Sequence, residues 1–191
     1  EKIFDASQFT SFLNICYSNT SDLKSFRDAI VVELRRIRKA GMIEIDNSFT
    51  KNPLSAEQVI RSYTWLTDSI IKSVWHICKI WLHPVPNPTQ AEKLSIIAVG
   101  GYGRKEMAPY SDVDLLFLTP YKTTPWAESV IESILYILWD LKLKIGHSSR
   151  SISDCLRLGK EDYTIRTALL EQRFVDGDHA TAKELEMRLW K

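Results

Sequence analysis

The chain has 191 residues, enough for one full domain with an appended element or for two small domains. Its 45% hydrophobic and 26% charged residues are those of an ordinary globular protein and exclude wholesale disorder. A net charge of +1 gives no support to a DNA-coating surface, so partners have to be read from local features.

Cys16, Cys78 and Cys155 are far apart and show no CxxC spacing, which argues against a disulfide framework or a structural zinc site and fits a reducing cytoplasm. No run of about 18 apolar residues marks a membrane span. The opening EKIFDASQF lacks the basic-then-apolar layout of a signal peptide. A cytoplasmic protein without a membrane partner is expected. There is no initiator Met, and the closing HATAKELEMRLWK is a helical pattern without a terminating Gly or Pro, so the sequence reads as a segment of a longer protein.

In chain order, the first fifty residues predict one helix, from about Leu23 to Ala40. Phe26, Ile30, Val31, Leu34 and Ile37 recur at helical spacing, and Gly41 is placed to cap its end. Arg27, Arg35, Arg36, Arg38 and Lys39 crowd the other face, as on a solvated surface or, alternatively, one that meets phosphate or an acidic partner. A longer helix is expected from Ser55 to about Leu82, opened by a Ser55/Gln58 capping box and apolar over much of its circumference. Pro84, Pro86 and Pro88 then make a stiff connector. The expected division is a helical region over 1–88 and a core over 89–191.

After the connector the hydrophobic period changes. LSIIAV (94–99) and DVDLLFL (112–118) read as strands, and Thr124 with Pro125 opens a helix running to about Leu141. LKIGHSS (143–149) reads as a third strand and Asp162 to Phe174 as a helix, with Asp178 capping the last one. This is an α+β (mixed α/β) arrangement, a small mixed sheet preceded and followed by helices.

The chemistry lies in GGYGRKEMAPYSDVDLLFL (100–118). Gly100, Gly101 and Gly103 follow a strand, where a turn free of side chains lets a ligand approach the backbone and can nest phosphate oxygens. The spacing excludes a dinucleotide fingerprint and a P-loop, because Glu106 stands where a Gly would be needed and Lys105 is not followed by Ser or Thr. Strand alternation puts Asp112 and Asp114 on one face, about 7 Å apart at Cα. Such carboxylates repel unless a cation lies between them, and they suit one or two Mg²⁺ ions shared with nucleotide phosphates. The alternative is a turn-capping Asp112 and a solvated Asp114.

The strand, the Gly-Gly loop and the Ser-Asp-x-Asp opening an apolar strand together resemble the DNA polymerase beta-like nucleotidyltransferase superfamily. More narrowly, GGYGRKEMAPYSDVDLLFL, LWDLKLKIGHSSRS and DYTIRTALLEQRFVDGD resemble the nucleotidyltransferase domain of the bifunctional uridylyltransferase/uridylyl-removing enzyme family, which modifies the PII nitrogen-regulatory protein. Lys105 and Met107 stand where that family often has Gly and Leu, and Ser149 where it has Val; none is a metal ligand.

The resemblance implies transfer of UMP from UTP to a PII tyrosine. Gly100, Gly101 and Gly103 would cradle the triphosphate, Asp112 and Asp114 would bind Mg²⁺, Ser111 would contact phosphate, and Arg104 would stabilise developing charge. It also implies that uridylyl removal belongs to an HD-type hydrolase domain and glutamine sensing to ACT domains, both outside this chain. The superfamily commonly has a third carboxylate on the next strand. LKIGHSSRS has none, which leaves Asp140 and Glu171 as candidates. His147 is a candidate base or structural residue, and Arg150 and Arg173 are candidate phosphate ligands or salt-bridge partners. Two alternatives stand: a glutamine synthetase adenylyltransferase-like enzyme, whose third strand typically resembles DLRLRP, and a non-catalytic nucleotide-sensing module.

Overall fold

Side-chain caps set most of the helix starts in the computed structural model, which describes residues 3–53 and 55–190. The first two residues of EKIFDASQF and the last of HATAKELEMRLWK therefore lie outside the described residues. Asp5 accepts from the amides of Ser7 and Gln8 to open α1 (Ala6–Asn19), an element absent from the sequence-based expectations. Of its apolar residues only Phe9 and Leu13 are buried, too few to show a helical stripe. Asp22 caps α2, which runs Leu23–Lys51, well past Gly41. Gly41 is a close-approach residue and not a terminator. A Cβ there would lie 2.9 Å from both the Ile3 carbonyl oxygen and Leu66 Cδ2, so its lack of a side chain lets α2 pack against the following helix.

That helix, α3, spans Ala56–Ile77 and continues into a single π turn, Cys78–Leu82. The expected Ser55/Gln58 capping box is not formed, because the Ser55 hydroxyl donates to the Asn52 carbonyl oxygen at 2.6 Å. The proline connector is pinned to α5 (Pro125–Asp140). Trp126 Nε1 donates to the His83 carbonyl oxygen at 3.0 Å, and His83 Nε2 lies 2.7 Å from Ser133 Oγ. Thr124 caps α5, as expected, by accepting from the Ala127 amide.

Four strands form the sheet: β1 (Ser95–Ala98), β2 (Val113–Thr119), β3 (Ile145–Ser151) and β4 (Arg173–Gly177), in the order β3-β2-β1-β4. β1 runs antiparallel to β2 and to β4, and β2 runs parallel to β3. The mixed α/β expectation holds, but the helix predicted over 162–174 is in fact α7 (Tyr163–Leu170) followed by β4. RFVDG is too short to carry its own alternation signal, and only the open edge of β1 makes it a strand. Helix α6 (Ile152–Glu161) also has no counterpart among the predicted elements; it starts without a loop, on the Ser151 cap that ends β3. Asp178 caps α8 (His179–Leu189), as expected.

Strand alternation sorts the core into two layers. Ile96, Ala98, Val113, Leu115 and Phe117 face one apolar cluster with α2, α3 and α5. Ile97, Leu116 and Leu118 face a second cluster with α6, α7 and α8. No helix among the described residues is long and apolar enough to cross a membrane.

Candidate active site

The head of β2 and the end of β1 meet at one end of the sheet, where the Val99 amide donates to the Asp114 carbonyl oxygen at 3.1 Å. Gly100 then takes φ +59°, a conformation that side chains resist, and starts the short helix α4 (Gly100–Gly103). The chain returns to β2 through a loop held by buried Met107 and by the Tyr63 hydroxyl, which accepts from the Tyr110 amide at 3.2 Å.

Asp114 alternates with Leu116 and Leu118, so its carboxylate lies on the α6–α8 face of the sheet. Two glycines make its seat. A Cβ on Gly146, its register partner on β3, would fall 2.3 Å from Oδ1, and a Cβ on Gly100 would lie 3.4 Å from Oδ2. Burial, and then the charge of neighbouring Asp112, push the Asp114 pKa up. Asp112 itself is exposed just ahead of the strand. A divalent cation between the two would reverse that repulsion, so their chemistry fits Mg²⁺ bound by few carboxylates plus ligand phosphates. No third His, Cys, Asp or Glu joins them to form a metal-sized group among the described residues.

The structure thus brings Gly100, Gly101, Gly103, Ser111, Arg104, Asp112 and Asp114 into one loop system. A Cβ on Gly101 would make only ordinary contacts, with Arg104 Nη2 and the Glu106 carbonyl oxygen each 3.8 Å away. Arg104 reaches two carboxylates, Glu106 at 2.7 Å through Nε and Glu171 at 2.6 Å through Nη1. Gly103 is pressed against the end of α7, since a Cβ there would fall 2.1 Å from the Glu171 carbonyl oxygen.

Other predicted residues lie elsewhere. Asp140 closes α5 and is engaged by Arg27, while Arg35 donates to its carbonyl oxygen at 2.8 Å, so part of the basic face of α2 is spent on packing against α5. Glu171 is taken up by Arg104. His147 pairs in register with Leu115, which places it on the opposite face from Asp114, edge-on to Trp139 at 6.1 Å. Arg150 pairs with Leu118 on the Asp114 face, but four residues further along β3. There it lies near Cys155, whose thiol burial pushes up to about 11 with Arg150 opposing.

Arg173 is not a surface cation awaiting phosphate. It forms a two-pronged pair with Asp68 of α3 at 2.8 and 3.0 Å, donates to the carbonyl oxygens of Gly103 and Tyr102, and lies over the Tyr102 ring at 5.1 Å. The Tyr102 hydroxyl donates to the same Asp68, and burial holds its pKa well above the ordinary value, with the Asp68 charge adding to the rise. This clamp ties α3, α4 and β4 together and fixes the glycine turn. Asp68 and Gly146 are the residues that reading the sequence missed. The one available signal was an acid, Asp68, inside the apolar run of α3.

Residues 6–140 match the family model described as glutamate-ammonia ligase adenylyltransferase. The match ends before β3. Curated relatives named bifunctional uridylyltransferase/uridylyl-removing enzyme are similar along nearly the whole chain. The protein of Ruegeria pomeroyi is 50% identical over 98% of this chain and 21% of its own length, and that of Cereibacter sphaeroides 50% identical over 99% and 20%. That of Rhodospirillum rubrum is 38% identical over 98% of this chain and 20% of its own. The chain therefore spans about a fifth of the length of these relatives. It belongs to the nucleotidyltransferase family that the adenylyltransferase model describes and, within it, to the N-terminal nucleotidyltransferase region of the bifunctional uridylyltransferase/uridylyl-removing enzymes.

Proposed function

We propose that this chain is the nucleotidyl-transferring unit of a larger enzyme, moving UMP from UTP to a tyrosine hydroxyl of a PII-type regulatory protein and releasing pyrophosphate. The observation that carries the reading is the seating of the Asp114 carboxylate between Gly100 and Gly146, with Asp112 near enough to raise its pKa. UTP rests on the names of the relatives, and PII on the sequence resemblance.

Asp112 and Asp114 would hold Mg²⁺, which when bound supplies neutralisation of the triphosphate and of the leaving pyrophosphate. Gly101 would keep the turn free of a side chain where phosphate oxygens approach, Ser111 would add a hydroxyl, and Arg104 a positive charge. In the transfer, a bond forms between the tyrosine oxygen and the α-phosphorus. The bond from that phosphorus to the oxygen leading to the β-phosphate breaks, and the hydroxyl proton passes to solvent. The residues of the turn act by orienting the phosphates for in-line attack.

Adenylyl transfer is the second reading, favoured by the family model that matches residues 6–140. Incubating the full-length protein with labelled UTP or ATP, and with PII or glutamine synthetase as acceptor, separates the two. Label reaching PII from UTP supports the proposal, and label arriving from ATP alone overturns it. Asp112→Asn with Asp114→Asn should abolish transfer without lowering the melting temperature, because charge is removed at nearly constant volume. Transfer that survives the double change would show the site to be elsewhere.

A further inference from the structure

Among the described residues, Arg104 brings the nearest cation to the side-chain face of Gly101, its Nη2 3.8 Å from where a Cβ would stand, and two carboxylates engage its guanidinium. Nε is taken by Glu106, but that carboxylate is 63% exposed, and exposed pairs hold weakly. Nη1 is taken by Glu171, 26% exposed, which sits at the end of α7. This corner of the fold is bolted to the glycine turn twice over. The main chain of Glu171 presses on Gly103, and two residues later Arg173 donates to the carbonyl oxygens of Gly103 and Tyr102. The main chain of Glu171 is therefore held at the turn, while Nη2 of Arg104 lies on the Gly101 side.

We propose that Glu171 is a positioning residue: it orients the Arg104 guanidinium so that Nη2 faces the phosphates of a nucleoside triphosphate lying along the Gly100–Gly101 turn. The inference rests on the reading of this turn as a triphosphate site. A planar guanidinium held at one edge by a carboxylate keeps its remaining donors in a fixed direction, and a partner of this kind sets the geometry of the group that touches the ligand. Glu171 is thus assigned a role through Arg104 and none as a third metal ligand.

The test is a double-mutant cycle in the full-length protein, read both as kcat and KM for UTP in uridylyl transfer and as the calorimetric Kd for UTP with Mg²⁺. Glu171→Gln should weaken UTP, in KM and Kd, by about tenfold, and Arg104→Gln by at least as much. Combining them should cost no more than Arg104→Gln alone, because both changes remove one interaction. Glu171→Asp, which keeps the charge, should recover part of the loss. A merely structural Glu171 would give losses that multiply in the double variant, and that result overturns the proposal, as would a Glu171→Gln protein within about twofold of wild type. If wild-type protein binds UTP but does not transfer from it, the transferase reading fails while the cycle is still decided by Kd. Protein that neither binds UTP nor transfers from it refutes both.

Discussion

Replacing Gly146 with alanine isolates the Asp114 seat from the rest of the fold. The new methyl group would fall 2.3 Å from Asp114 Oδ1 and 3.5 Å from its Cγ, with no backbone atom within 4 Å among its nearest neighbours. The carboxylate oxygen has to retreat by about 1 Å or slightly more to reach ordinary contact, and it can do so by turning its own side chain. The strand is not harmed, since alanine in a strand interior is favoured over glycine by about 0.5–1 kcal/mol. A displacement of about 1 Å at a reacting centre costs about 100-fold in rate. The expected result is a Gly146→Ala protein with a melting temperature equal to or above wild type and nucleotidyl transfer down about 100-fold, measured with labelled nucleotide at saturating Mg²⁺. Activity within about threefold of wild type would refute the assignment of Asp114 as a ligand-holding carboxylate, and a lost activity that tracks a lowered melting temperature would refute the separation of site from fold.

Two further outcomes follow from the charges. Arg173→Met should destabilise the chain by about 3 kcal/mol in urea unfolding, since it strands Asp68, 16% exposed, without its cation; the double variant Asp68→Leu/Arg173→Met should regain part of that loss. Asp162, the α7 cap, is held below its ordinary pKa by the amides of Ile165 and Thr164. A depressed carboxylate contributes stability that is present above its unfolded pKa and lost as pH falls through its folded one. Asp162→Ala should therefore lower the melting temperature at neutral pH, and the gap to wild type should close as the pH drops below the ordinary aspartate range. A gap that persists undiminished in acid would assign the effect to something other than the cap charge.

Much of this protein was legible because its signals are local. An amphipathic period marks the middle of α2 and of α5, Thr124 with Pro125 announces a helix start, and a short β-rich run on either side of GGYGRKEMAPYSD announces two strands joined by a loop. The loop system was legible for the same reason, since Gly100 through Asp114 lie within one stretch of chain. The chemical types, glycines for close approach and paired carboxylates for cations, follow from the residues alone.

What failed was everything decided by a distant partner. Gly41 looks like a helix terminator until Leu66 and Ile3 are packed against it. RFVDG becomes a strand only because β1 offers it an open edge, and Arg173 becomes a clamp only because Asp68, 105 positions away, is brought beneath the turn. His147 and Gly146 are adjacent in sequence, yet the two-residue period of a strand sends one side chain toward Trp139 and sets the other position under Asp114. Sequence by itself determined which groups could do chemistry and roughly where the chain turns, since both depend on near neighbours. Tertiary structure alone decided which of those groups share a face and which are spent on the fold, because register and packing join residues that the chain order keeps apart.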